Sequence, residues 1–245
     1  MNKHIWALAG ILTFLIIWHI ASLFVASSLI LPGPISVLQT FLSMLPTAAF
    51  QKALWASFLR VLLGLIVSVP TGIALGLLCG LFPPLDYFLR PFLAFIAATP
   101  VMAIILIIFL WAGSEGTPVV TAFLIVFPVM VQNTKAGVLA LDTNLKEMCR
   151  VFQFSRLSTL QNLYIPSIVP YLLSALKTAL SLCWKVVVAA EVLVQPIRAL
   201  GTGMQNAKAQ LETPSLFAWT CATVIAAALC QGLLKLAIIK GRIKR

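Results

Sequence analysis

Three ionisable residues, Lys177, Lys185 and Glu191, interrupt an apolar run from about 171 to 193. In a bilayer each such charge costs roughly 2.5 to 3.5 kcal/mol on insertion scales, so these groups should face protein or water rather than lipid. Lys177, Trp184 and Glu191 are seven residues apart, which returns them to nearly the same helix face. Lys177 is close enough to the inner surface to snorkel. For Lys185 and Glu191 two uses stay open: a place on a transport path or its gate, or internal ion pairing.

Other chemistry is sparse. His4 and His19 are the only histidines and both belong to the first apolar run, so no Ser/His/Asp set can assemble. Cys79, Cys149, Cys183, Cys221 and Cys230 show neither CxxC spacing nor a histidine cluster, and read as buried thiols. No GxxxxGKS or GxxxxGKT phosphate loop occurs, so any ATP must be hydrolysed on another subunit. The chain is expected not to be an enzyme and to hold no cofactor.

The segment 135–170 carries a different kind of signal. Asn144 followed by Glu147 resembles a capping box, and Leu141, Leu145, Met148 and Phe152 form one apolar stripe. Ser158 followed by Gln161 repeats the capping signal, and the second helix is expected to stop before Pro166. Two short amphipathic helices beside a membrane bundle suit docking of a cytoplasmic partner; helices lying on lipid are the alternative.

The elements that hold these residues are set by composition. Of 245 residues, 61% are hydrophobic and 9% charged, against about 25% charged in soluble domains, so the chain belongs in a bilayer. The net charge of +11 would suit a nucleic-acid binder, but the basic residues lie mostly between and after apolar runs, as a topology signal does. Runs at 5–25, 61–82, 92–112, 117–134, 171–193 and 216–238 predict an all-α bundle of about six spans in one unit, residues 1–245. With the N-terminus inside, eleven Lys and Arg fall on the inner face and only Lys52, Arg60, Arg198 and Lys208 on the outer. Both termini and the loop 135–170 are therefore expected in the cytoplasm. Leu31-Pro32-Gly33-Pro34 and the amphipathic stretch to Lys52 should lie at the outer interface. Gly64, Ser68, Gly72, Gly76 and Gly80 predict close helix packing, within the chain or at a subunit interface. Pro70, Pro100 and Pro128 predict kinks.

Glu147-Met148-Cys149-Arg150-Val151-Phe152-Gln153, then Phe154-Ser155-Arg156 and Leu163-Tyr164-Ile165-Pro166, resembles the EAA loop of ABC importer permeases. Leu31-Pro32-Gly33-Pro34, Arg60 to Gly64, Gly72 to Gly80, Gly113-Ser114-Glu115, Asn133-Thr134, Gly137, Asp142, Trp184 to Glu191 and Gly201 are similar to the nitrate, sulfonate and taurine branch. The likeness covers roughly residues 5 to 240. Met148 and Cys149 replace the two alanines, and Gln153 replaces the motif glycine. If that turn keeps a positive φ, Gln153 costs on the order of 1 kcal/mol relative to glycine.

The resemblance implies a type I ABC importer permease fold in a bacterial inner membrane. It implies a second permease subunit as homodimer partner, two cytoplasmic ATPases carrying ATP and magnesium, and an extracytoplasmic solute-binding protein. Glu147, Met148, Arg150, Phe152, Gln153, Ser155 and Arg156 become the expected ATPase-docking residues, and Trp184, Lys185 and Glu191 the expected path or gate. The cargo would be a small oxyanion, sulfonate or nitrate-like ion, or a vitamin-precursor ring. A competing reading is an ion-coupled secondary transporter using Lys185 and Glu191.

Overall fold

A computed structural model describes residues 3–243. The side chains of Lys3, His4, Ala7, Arg156, Arg242 and Ile243, and all of Met1, Asn2, Lys244 and Arg245, lie outside the described residues. The elements are α1 (Lys3–Val25), α2 (Pro34–Met44), α3 (Ala48–Leu81), α4 (Pro83–Ala98), α5 (Val101–Leu139), α6 (Thr143–Val151), α7 (Arg156–Thr159), a π turn (Leu160–Tyr164), α8 (Ile165–Val194), α9 (Leu200–Ala209) and α10 (Thr213–Ile243). Helices containing Leu8–Val25, Ala48–Leu81, Val101–Leu139, Leu157–Val194 and Thr213–Lys240 are each long and apolar enough to cross a membrane.

The glycine stripe fixes how the chain threads between them. A Cβ on Gly64 would meet Ala122, one on Gly76 would meet Thr134 at 2.6 Å, and one on Gly80 would meet Val138 at 2.7 Å. Those pairs keep one constant offset, so α3 and residues 114–139 run parallel at backbone contact. The stripe is thus consumed by packing within the chain. Parallel neighbours also require the intervening chain to return across the membrane, which supplies a further crossing. The ion pair of Asp86 with Lys135 marks one end of that return, and the pair of Arg60 with Glu115 marks the other.

This return corrects the expected third span. It is not one kinked helix at 92–112 but starts at Pro83 and comes in two pieces. Thr99 and Pro100 adopt extended backbone between α4 and α5, and Gly113, at φ 62 and ψ −175, turns the chain back inside α5. Pro100 has no N–H and holds Thr99 out of the helical region, so the helix breaks there. Pro70 and Pro128, in contrast, sit inside helices that continue past them.

Two further boundaries differ from expectation. The Thr47 hydroxyl accepts a hydrogen bond from the Phe50 N–H at 3.3 Å and starts α3 at Ala48, well before residue 61. The helix from Arg156 does not stop before Pro166. It widens through the π turn, where the Ile165 N–H reaches back to the Leu160 carbonyl, and enters α8. The wider turn moves aside the carbonyl that the proline ring would strike.

Helix α8 runs antiparallel to its neighbours at the centre of the bundle: Ile168 lies against Gly137, and Cys183 against Gly64. Around it Val61, Ala122, Val126, Met130, Ala179, Trp184 and Val187 form the main core. Helix α1 is peripheral. Its Trp18 stacks on Phe217 of α10 with centroids 5.8 Å apart and donates its indole N–H to the Pro32 carbonyl at 3.1 Å.

Candidate functional site

Helix α6 stands apart from the membrane helices and is locked at both ends. Its cap is Asp142, whose Oδ1 accepts the Asn144 N–H at 2.9 Å, and not the expected Asn144 box with Glu147. Asp caps as well as Asn, and it lies where the chain is still extended. At the other end the Phe154 N–H donates to the Cys149 carbonyl at 2.9 Å, and the Gln153 N–H donates to Arg150 at 3.1 Å. These two bonds make a Schellman turn, with Gln153 at φ 52 in the left-handed position that glycine favours. The second cap also shifts: Ser155 Oγ, rather than Ser158, accepts the Ser158 N–H at 3.1 Å.

Only one side of α6 packs inward. Cys149 is buried with Leu141 and Leu163, so the second alanine position of the motif is filled by another small residue. Leu141 thereby leaves the expected stripe, while Leu145, Met148 and Phe152 stay exposed, joined by Val151 and Phe154. Those last two escaped sequence reasoning because neither falls on the stripe's spacing. Glu147, Arg150, Gln153 and Ser155 are exposed around this apolar patch. The Arg156 side chain lies outside the described residues.

The opposite end of the bundle holds a buried ionic knot. Glu191 is fully buried and accepts from Ser57 Oγ at 2.8 Å, Arg60 Nη1 at 3.0 Å and the Gly201 N–H at 3.2 Å. Arg60 also binds Glu115 and donates to the Arg198 carbonyl at 2.8 Å. Glu115 accepts the Ile197 N–H at 3.1 Å, and Ser57 accepts the Leu200 N–H at 2.9 Å. The knot joins α3, α5, α8, α9 and the 195–199 linker. Gly201 fits there because a Cβ would stand 2.5 Å from that of Glu191. Sequence reasoning missed Ser57 and the pairing of Arg60, since 131 residues separate Arg60 from Glu191.

Trp184 shares the inward face of α8 with Glu191 and is buried, its Nε1 without an acceptor among the described residues. Lys185 faces the other way. It is exposed with Thr178 and with Lys177, which the seven-residue spacing puts on the face of Trp184 and Glu191 but which stays uncovered, and these line one groove with Ser181 and Leu182. The structure therefore separates Lys185 from Glu191, and the ion pairing left open for Glu191 is made to Arg60 instead.

An all-helical, multi-pass membrane subunit that presents a rigid amphipathic helix at one end is the class that fold and site define. The family profile of the binding-protein-dependent transport system inner membrane component matches residues 72–238, and the chain belongs to this family. It is 30% identical over 220 residues to the taurine transport system permease protein of Escherichia coli, covering 87% of this chain and 80% of that one. It is 31% identical over 209 residues to the bicarbonate transport system permease protein of Synechococcus elongatus, covering 79% and 73%. The nitrate import permease protein of the same organism is 29% identical over 193 residues, covering 74% and 68%. The chain is an ABC transporter permease, a membrane component rather than an enzyme, and ATPase activity lies in a separate subunit.

Proposed function

We propose that this chain is the membrane-spanning subunit of an ATP-driven importer, paired with a second copy of itself. Two cytoplasmic ATPases, which bind ATP and magnesium, would dock on the two copies of α6. A solute-binding protein would deliver a small solute of the kind that the taurine, bicarbonate and nitrate permeases are named for. The observation that carries this reading is α6 itself: a short helix capped at both ends, with Leu145, Met148 and Phe152 exposed beside Glu147 and nothing among the described residues to cover them. ATP-driven closure of the ATPases would push α6 as a rigid body, and α7 would pass that motion through the π turn into α8. Arg150, Gln153, Ser155 and Arg156 complete the docking surface. Trp184 and Glu191 brace α8 from behind while Lys185 faces the path, so that the cavity opens alternately to each side.

Desolvated charge pairs at interfaces cost about 2 to 5 kcal/mol when one partner is lost, whereas a solvated Glu on lipid costs almost nothing. Glu147→Arg should therefore leave the chain inserted but reduce ATPase recovery on co-purification; full recovery would move the docking contact away from Glu147. The proposed orientation places α6 in the cytoplasm. In intact cells lacking native thiols, Asn206→Cys should react with an impermeant thiol reagent and Ser155→Cys should not, and the reverse pattern would invert the topology.

A further inference from the structure

The open face of α8 carries Ser174, Lys177, Thr178, Ser181 and Lys185 on one side of the helix. Four of them, from Lys177 to Lys185, line a groove of about 350 Å³ with Leu182. Leu182 also lines a neighbouring groove of about 220 Å³ that includes Thr99 and Gln132. Thr99 is where the third crossing breaks. Irregular backbone at membrane depth is tolerated against protein or water and not against lipid.

Both lysines leave α8 in the interior of the apolar helix that is long enough to cross a membrane, rather than at its ends. Lys185 stands six residues, about 9 Å, along the helix from Glu191, and Lys177 stands nine residues, about 14 Å, from Ile168 at the Gly137 level. The chain has six acidic residues. Glu115 and Glu191 are bound by Arg60, and Asp86 by Lys135. Asp142 and Glu147 lie at α6, and Glu212 lies just ahead of α10, accepting from Ser215. None pairs with Lys177 or Lys185, and a second copy would bring the same set with the same engagements. The counter-charge for this face must come from outside the protein, through water that reaches it.

We propose that Lys177 and Lys185 form the anion-selecting stretch of the translocation path, with a second copy of the chain facing them across it. The proposal rests on the reading of the chain as a permease subunit. Lys185 meets the ion from the Glu191 end and Lys177 receives it deeper, with the Ser181 hydroxyl between them able to donate to its oxygens, while the Thr178 hydroxyl donates to the Ser174 carbonyl at 3.4 Å. Ammonium groups on flexible stems suit transit, because they attract an anion without the rigid two-point grip of arginine.

The test uses the complete complex with its ATPases in nanodiscs, with native cysteines replaced and Ser181→Cys introduced. Two methanethiosulfonate reagents of opposite charge, the sulfonatoethyl and the trimethylammonioethyl forms, are applied, and each rate is divided by its rate with a small thiol in solution. The normalised anionic rate should exceed the cationic one at least about tenfold. Adding Lys177→Gln and Lys185→Gln should bring the ratio close to one. Equal normalised rates with both lysines present would overturn the proposal, as would no reaction with either reagent, which places this face against lipid or packed protein. ATPase retention in the same preparations separates the outcomes: if it persists, only the anion path has failed, and if the unmodified chain retains no ATPase, the permease reading has failed.

Discussion

The two faces of α8 handle charge in opposite ways. On one face Glu191 is fully buried, yet three donors, the Arg60 guanidinium among them, satisfy it. On the uncovered side, Lys177 and Lys185 are exposed within the same apolar span with no acidic partner among the described residues. A paired buried charge contributes a fixed geometry, because moving any member strands the rest. An unpaired charge in hydrocarbon contributes nothing to stability and persists where water or a passing ion can reach it. One helix thus carries a brace and, on the reading proposed above, a path.

The largest effect that separates the faces should come from the knot. Arg60→Met leaves Glu191 buried and unpaired and should cost about 3 to 5 kcal/mol, read as a lowered unfolding midpoint of the purified chain in detergent. Adding Glu191→Leu should recover most of that loss, since the remaining Glu115 is more than half exposed. Additive losses in the double variant would mean that the pair is not what holds this end. Lys185→Gln, on the open face, should change the same midpoint by no more than about 0.5 kcal/mol. A comparable loss there would erase the distinction between brace and path.

A smaller effect sharpens the contrast between α8 and α6. Gln153 occupies a left-handed turn at φ 52, so Gln153→Gly should stabilise the end of α6 by about 1 kcal/mol. Slower hydrogen exchange at the Gln153 and Phe154 amides would register it, and faster exchange would show that the glutamine side chain holds the turn.

Much of this architecture was legible because apolar runs and glycine spacing are local signals. The left-handed turn at residue 153 was readable from the motif position, and the stripe from Gly64 to Gly80 from its four-residue period. The break at Thr99–Pro100 was harder to place: a proline marks where a helix can bend but not whether the chain departs, and Pro70 and Pro128 do not break theirs. The caps at Asp142 and Ser155 were displaced because several cap-competent residues stand in a row there, and only the chain direction chooses among them. The knot was illegible for a different reason. Ser57, Arg60, Glu115 and Glu191 lie on three helices, and no sequence period reports which helix faces meet.

What drives transport separates an ATP-driven importer from an ion-coupled carrier most directly. Proteoliposomes holding the permease with its ATPase and binding protein should be assayed with nitrate, bicarbonate and taurine while ionophores collapse every cation gradient. ATP supplied on the α6 side should drive accumulation of at least one of these solutes, and Glu147→Arg should abolish it. Accumulation without ATP, sustained by a proton or sodium gradient and untouched by Glu147→Arg, would contradict an ATP-driven importer.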